Sequence, residues 1–341
     1  MPAGAKLPAS DAQAISPLPI AIGGLGGSGT RVLASLVREL RVDIGSFLNN
    51  SLDNLWFTFL LMHPDWHFPA KSPERISMAL DLFIRAMTTG LEGTLSVAEE
   101  TLLSHLENKT GPTFHGFPTA DVACSLRASK GPEPGAFAGW GWKEPNTHYI
   151  VEQLANADGR FVYVHVIRNG LDIAFSGNRN QLRNWGPLFA LNVDEATLQE
   201  PRLALDFWLM ANARTIGIAA RRFGQRFVLM DYYDLCTNPY NAVVQIARAA
   251  NLPIPKKLSV NGSASPIKVR TDQMEIHASQ FSAQSLARLE DLGYVNATES
   301  SGRLVTLPER CDASARLDAW LKLAEATAYR PGPSPTVQEP G

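Results

Sequence analysis

The chain has 341 residues, of which 45% are apolar and 19% charged, with 31 Lys and Arg against 33 Asp and Glu for a formal net charge of −2. That apolar share supplies a substantial core, and the near balance of charge excludes a surface devoted wholly to nucleic acid or anionic membrane while leaving room for a local basic pocket. The three cysteines, Cys124, Cys236 and Cys311, are odd in number and far apart, which excludes a disulfide framework or a cysteine zinc site and fits a reducing, cytoplasmic setting.

Residues 1–17 are rich in Ala, Pro and Ser without an apolar central run, so they read as a disordered leader rather than a secretion signal. The longest apolar window, Leu55 to Met62, is far short of the ~20 residues of a membrane span, so no membrane partner is expected. The sequons at Asn49, Asn108, Asn261 and Asn296 then read as coincidence.

From Pro19 to Leu40 the sequence predicts a strand (Pro19 to Ile22), a glycine-rich loop and a helix (Val32 to Leu40). The loop holds Gly23, Gly24, Gly26, Gly27 and Gly29 together with Ser28 and Thr30. Inward backbone N–H groups and the positive end of the following helix suit a phosphate or sulfate. Three chemistries share this outline. A nucleoside triphosphatase loop needs Lys then Ser or Thr after its last glycine, whereas Gly29 is followed by Thr30 and Arg31. A dinucleotide fingerprint is met by Gly24, Gly26 and Gly29, with Asp43 near the ~20-residue spacing of a ribose-binding acid. The third is a loop for the 5′-phosphosulfate of an adenylyl phosphosulfate, held without magnesium.

Val42 to Gly45 reads as a short strand or loop. Between Ser46 and Met62 polar residues, among them Asn49, Ser51 and Asp53, precede the run of Trp56, Phe57 and Phe59, which is read as core first and acceptor contact second. His63 and His67 have helical ligand spacing, but Pro64 intervenes and the Glu of a zinc helix is missing, so no metal is expected. Ser72 to Asn108 predicts two amphipathic helices around Gly90 to Gly93, and Lys109 to Gly141 a long irregular segment.

Three further strands are predicted: Trp140 to Trp142 ending at Lys143, Phe161 to Ile167 ending at Arg168, and Phe227 to Met230 ending near Asp231 and Tyr232. Helical patterns follow each, at Thr147 to Leu154, Leu171 to Leu182 and Pro239 to Ala250. The alternation implies an α/β fold, P-loop-like and three-layered, with a central parallel sheet flanked by helices. Ligands bind beyond the carboxyl ends of such strands, where the glycine loop, Lys143, Arg168 and Tyr232 would gather. Alone, Arg168 would read as a surface ion pair and Ser176 as a helix-packing residue. At ~1.5 Å per residue Ser176 lies roughly 7–9 Å along the predicted helix, within reach of a phosphate that Arg168 also grips.

With GGLGGSGTR, WKEPNTHYIVEQLA, FVYVHVIRNGLDIAFS and FVLMDYYDLCTNPYNAVVQIARAANL in this order, the chain resembles sulfotransferases that use 3′-phosphoadenosine 5′-phosphosulfate, most of all the branch of the protein-tyrosine and related bacterial enzymes. The resemblance runs from Pro19 to about Tyr294, including a terminal helix at Phe281 to Leu292. It implies a single sulfotransferase-like α/β domain over 18–307, with a helical and loop insertion at about 50–138 and a C-terminal extension with a Pro-rich tail over 308–341. It also implies that Gly26, Gly27, Ser28, Gly29, Thr30 and Arg31 hold the 5′-phosphosulfate, Arg168 and Ser176 the 3′-phosphate, and that Tyr232 lies at the adenine. Lys143 would reach the transferring sulfuryl oxygens, and Lys268 and Arg270 would close over the nucleotide.

The chain departs from the family in two places. Gly27 stands where the family carries a cation before Ser-Gly-Thr, leaving Arg31 or Lys143 to supply it. The base is open between Asp53, Glu144 and His148, and Asp53 read as a helix cap is an equal alternative. The expected activity is in-line sulfuryl transfer, without metal, to a hydroxyl or amine of a small-molecule, carbohydrate or peptide acceptor. The aromatic residues Trp56, Phe57 and Trp66 and the segment from Lys109 to Gly141 are the acceptor-pocket candidates. Two alternatives stand beside it: an NAD(P)-dependent oxidoreductase, which leaves Arg168 and Ser176 unexplained, and a non-catalytic nucleotide-binding protein on the same fold.

Overall fold

Successive side chains of a strand point to opposite faces, and the strand sequences sort the core accordingly. Ile20 and Ile22 pack with Val162, Val164 and Val166 on one face, while Ala21, Trp142 and Tyr163 pack on the other. The computed structural model describes residues 16–66, 72–157, 161–258, 275–306 and 313–327. In chain order its strands are β1 (Ile20–Gly24), β2 (Val42–Asp43), β3 (Thr113–Phe114), β4 (Phe117–Pro118), β5 (Gly139–Lys143), β6 (Val162–Ile167), β7 (Phe227–Asp231), β8 (Val295–Thr298) and β9 (Leu304–Thr306).

Five of them form one parallel sheet in the order β2-β5-β1-β6-β7, with β3-β4 and β8-β9 as separate two-stranded ribbons. Helices Thr30–Arg38 and Pro239–Ala249 cover the isoleucine face of β1. The opposite face carries helix Pro201–Phe223, to which helix Ala313–Ala326 docks, and a helical layer of Leu55–Leu61, Pro73–Thr88, Val97–Thr110 and Thr119–Arg127. This is the three-layer α/β arrangement expected from the alternation of strands and helices. Among the described residues no helix is long and apolar enough to cross a membrane.

Three local expectations change. The predicted helix Leu171 to Leu182 is two short ones, Gly170–Ala174 and Asn180–Trp185. Gly177 and Asn178 break it, the Ser176 hydroxyl accepts the Asn178 N–H, and the Arg179 guanidinium donates to the carbonyls of Ile173 and Ala174 at 3.1 and 2.6 Å. The segment Lys109 to Gly141 is not irregular throughout: it holds the β3-β4 ribbon and helix Thr119–Arg127, whose Val122, Ala123 and Leu126 are fully buried. The 23-residue helix Pro201–Phe223 was not among the predicted elements; it buries residues on most of its circumference, which blurs the single apolar stripe that marks a surface helix.

Candidate functional site

The parallel register brings the strand ends to one edge. Gly24 lies level with Val166, and Ile167 with Asp231, so the loop after β1, Arg168 after β6 and Tyr232 after β7 emerge side by side. The loop is a tight turn: the Ser28 N–H donates to the Leu25 carbonyl at 3.0 Å, and Gly27 has the positive φ of 91° that a type II turn needs at its third position. Gly29, at φ 95°, is the left-handed residue from which helix Thr30–Arg38 starts, and a Cβ there would collide with the Tyr232 ring.

Arg168 ties the edge together. Its Nη1 donates to the Gly27 carbonyl at 3.2 Å, its Nε to Asp172 Oδ2 at 2.9 Å, and its guanidinium lies 4.6 Å from the centre of the Tyr232 ring. The Ser176 hydroxyl faces the same glycine, 3.8 Å from where a Cβ of Gly27 would stand. Gly27, Arg168, Ser176 and Tyr232 are therefore neighbours, although Ser176 reaches the cluster from a turn and not from a helix. Ser28 is buried with a hydroxyl oxygen that has no partner. Arg31 is exposed on the first helical turn. Lys268 and Arg270 lie outside the described residues, as does His67.

Lys143, at the end of β5, is enclosed. Its ammonium donates to the Ser51 carbonyl at 2.9 Å and is ion-paired with Asp53, whose other carboxylate oxygen accepts from Asn49. Asp53 is not the cap of the next helix; Asn54 is, its side chain accepting the Phe57 N–H. Asp53 keeps 15% of its side-chain surface exposed. At the tip of the β3-β4 ribbon, His115 keeps part of its surface exposed; desolvation of its ring by the surrounding chain lowers its pKa, and the Asp53 carboxylate opposes that with a smaller raising effect. Sequence reading missed this residue; only the pairing of β3 with β4 marks it as a loop tip.

The other base candidates are shut in. Burial, then the Asp53 carboxylate, push the Glu144 carboxyl up to about 8, with Asn146 and Lys143 opposing. His148 is fully buried and its pKa falls well below the usual value, by burial first and then His165 and Arg214. His63 turns its ring toward the Phe59 carbonyl at 2.7 Å, and burial lowers its pKa to about 4. Among the described residues no group of three or more His, Cys, Asp or Glu is placed to hold a metal.

The dinucleotide reading fails on topology. It requires the second strand to lie beside the first so that its terminal acid meets the glycine loop. Here β5 separates β2 from β1, and the Asp43 carboxylate instead accepts the Gly45 N–H at 2.9 Å.

No family model matches the chain, and no curated protein matches it. Among solved structures it is similar to the sulfotransferase domain of the Synechococcus PCC 7002 olefin synthase, at 15% identity over 92% of this chain and 96% of that one, with a TM-score of 0.36. It is also similar to the sulfotransferase domain of the curacin biosynthetic pathway, at 14% identity over 93% and 99% with a TM-score of 0.38. Sulfotransferase STF1 of Mycobacterium tuberculosis follows at 18% identity over 71% and 70% with a TM-score of 0.37. These likenesses are distant, and the reading of the site rests on the chain's own residues.

Proposed function

We propose that the protein is a sulfotransferase that takes the sulfuryl group of 3′-phosphoadenosine 5′-phosphosulfate to a hydroxyl or amine acceptor. The observation that carries this reading is the convergence of Arg168, Ser176 and Tyr232 on the turn at Gly27. A cation and a hydroxyl beside an anion-suited loop fit a nucleotide with phosphate at both the 3′ and 5′ positions, and the orphaned Ser28 hydroxyl gives the loop a further unused polar group.

On this reading Arg168 and Ser176 grip the 3′-phosphate and Tyr232 lies against the adenine. The loop amides and the start of helix Thr30–Arg38 hold the 5′ end. The activated phosphosulfate supplies a good leaving group. The chain's task is alignment and fixed positive charge, which the loop amides and Arg31 on the first helical turn contribute, while the enclosed Lys143 orients the Asp53 carboxylate with which it is ion-paired. Asp53, alone among the three base candidates in retaining exposure at the Lys143 end, accepts the acceptor's proton. The acceptor is a small molecule, carbohydrate or peptide, and the location is cytoplasmic.

Calorimetry with adenosine 3′,5′-bisphosphate and with NAD tests the binding half, and transfer of labelled sulfate to phenols, sugars and amines the catalytic half. Bisphosphate should bind and NAD should not. Arg168→Ala should weaken bisphosphate binding by about 1.5–3 kcal/mol, the range for a charge-assisted hydrogen bond. Binding of NAD without bisphosphate would end the proposal; bisphosphate binding with no transfer to any acceptor would favour the non-catalytic reading.

A further inference from the structure

The peptide unit between Leu25 and Gly26 has both ends engaged. Its carbonyl accepts the Ser28 N–H that closes the turn, and its N–H leaves the loop for a side chain, Gln181 Oε1, at 2.8 Å. Gln181 Nε2 in turn donates to Asn146 Oδ1 at 2.9 Å, and Asn146 Nδ2 to Glu144 Oε1 at 2.8 Å. The three bonds run in one direction, so each amide is locked in a single orientation by the next, and the row ends on a carboxyl fixed against β1, where the Glu144 N–H donates to the Ile22 carbonyl. Residues 144–146 follow β5, and Gln181 lies in the second of the two short helices after β6, Asn180–Trp185, so the row spans the glycine loop from both neighbouring strands.

We propose that Gln181, held by Asn146 and Glu144, is a positioning residue for the 5′-phosphate: it pins the first peptide of the glycine turn and thereby aims the amides that follow. The inference rests on the function proposed above. A loop whose leading peptide can rotate presents carbonyl oxygens as readily as N–H groups to an anion. The fault this creates falls mainly on the 5′ end, which the loop amides hold, because the 3′-phosphate is gripped by the side chains of Arg168 and Ser176 and not by loop amides.

That asymmetry gives the test. Adenosine 3′,5′-bisphosphate and adenosine 3′-monophosphate differ only at the 5′ end, and competition binding measures both. Gln181→Leu should weaken the bisphosphate at least about tenfold and the monophosphate by less than about twofold, the scale of a single strong hydrogen bond at the 5′ end alone. Glu144→Leu should do the same to a smaller degree, whereas Glu144→Gln, which keeps an accepting oxygen for Asn146, should restore the wild-type ratio. Equal weakening of both ligands, or an unchanged ratio in both leucine variants, overturns the positioning role while leaving the sulfotransferase reading intact. A wild-type protein that binds neither ligand overturns both.

Discussion

Glu144 is enclosed beside β1, between the Asp53 carboxylate that disfavours its ionisation and the Lys143 ammonium that favours it. Its carboxyl, ordinarily at 4.5, rises to about 8 in the folded chain. The folded state therefore binds its proton more tightly than the unfolded state, so this group's stabilisation is full below the unfolded value and is lost as pH rises through the folded one. Glu144→Gln removes the titration while keeping the shape. Urea midpoints measured from about pH 5 to about pH 9 should fall more steeply for the wild type than for the variant; parallel profiles would show that the carboxyl does not carry a shifted proton. Lys143 and Asp53 form the other residue-level prediction. With side chains only 3% and 15% exposed, each leaves a poorly solvated partner behind when removed singly. Lys143→Met should destabilise by about 1–3 kcal/mol, and adding Asp53→Asn should recover part of that loss in a double-mutant cycle.

At the scale of elements, the turn that carries Ser176 depends on Arg179. That residue is 7% exposed, and its two donations to Ile173 and Ala174 satisfy carbonyls at the end of a five-residue helix. Arg179→Met should cost about 1–3 kcal/mol through the freed carbonyls and should weaken bisphosphate binding by loosening Ser176; stability lost with binding unchanged would uncouple the turn from the site. The same segment shows where the sequence was readable. β1, β5, β6 and β7 are compact apolar runs ended by Lys, Arg, Asp or Gly, so their ends, and with them Arg168 and Tyr232, are legible in the sequence alone. The break after Ala174 was hidden because Leu171, Ala174, Phe175 and Leu182 keep a helical spacing across it, and the guanidinium that makes the break is a tertiary-looking cap supplied from within the turn. The row from Gly26 to Glu144 was illegible for another reason: Gln181 lies 155 positions from Gly26 and 35 from Asn146, and no local pattern links them. Likewise Lys143 and Asp53 stood out singly, but their pairing across 90 positions needed the fold.

For the whole molecule, the site depends on a brace far along the chain. Trp320 of helix Ala313–Ala326 is fully buried, its ring centre 5.2 Å from that of Trp208 in helix Pro201–Phe223. Trp208 also packs so closely under Gly170 that a Cβ there would meet its ring at 2.6 Å, which places Trp208 directly behind the start of the segment from Arg168 to Ser176, with Trp320 backing Trp208 in turn. Arg316 of the same helix is ion-paired with Asp231, the residue before Tyr232 and the one whose side chain accepts the Tyr233 N–H. Burial pushes the Asp231 carboxyl up to about 6 even though Arg316 pulls it down, so this helix end is held by a partner that itself needs holding. One helix therefore backs both walls of the proposed nucleotide site. Trp320→Ala should destabilise by about 3–5 kcal/mol through the cavity it leaves. Because the damage lies behind the site, a ligand that clamps the two walls should offset it: adenosine 3′,5′-bisphosphate at 100 times its Kd adds about 2.7 kcal/mol to whichever chain still binds it. Melting curves of the variant should therefore rise with bisphosphate and stay flat with NAD. A variant that melts early and gains nothing from bisphosphate, while the wild type does, would mean that the walls have lost their alignment and not merely their support.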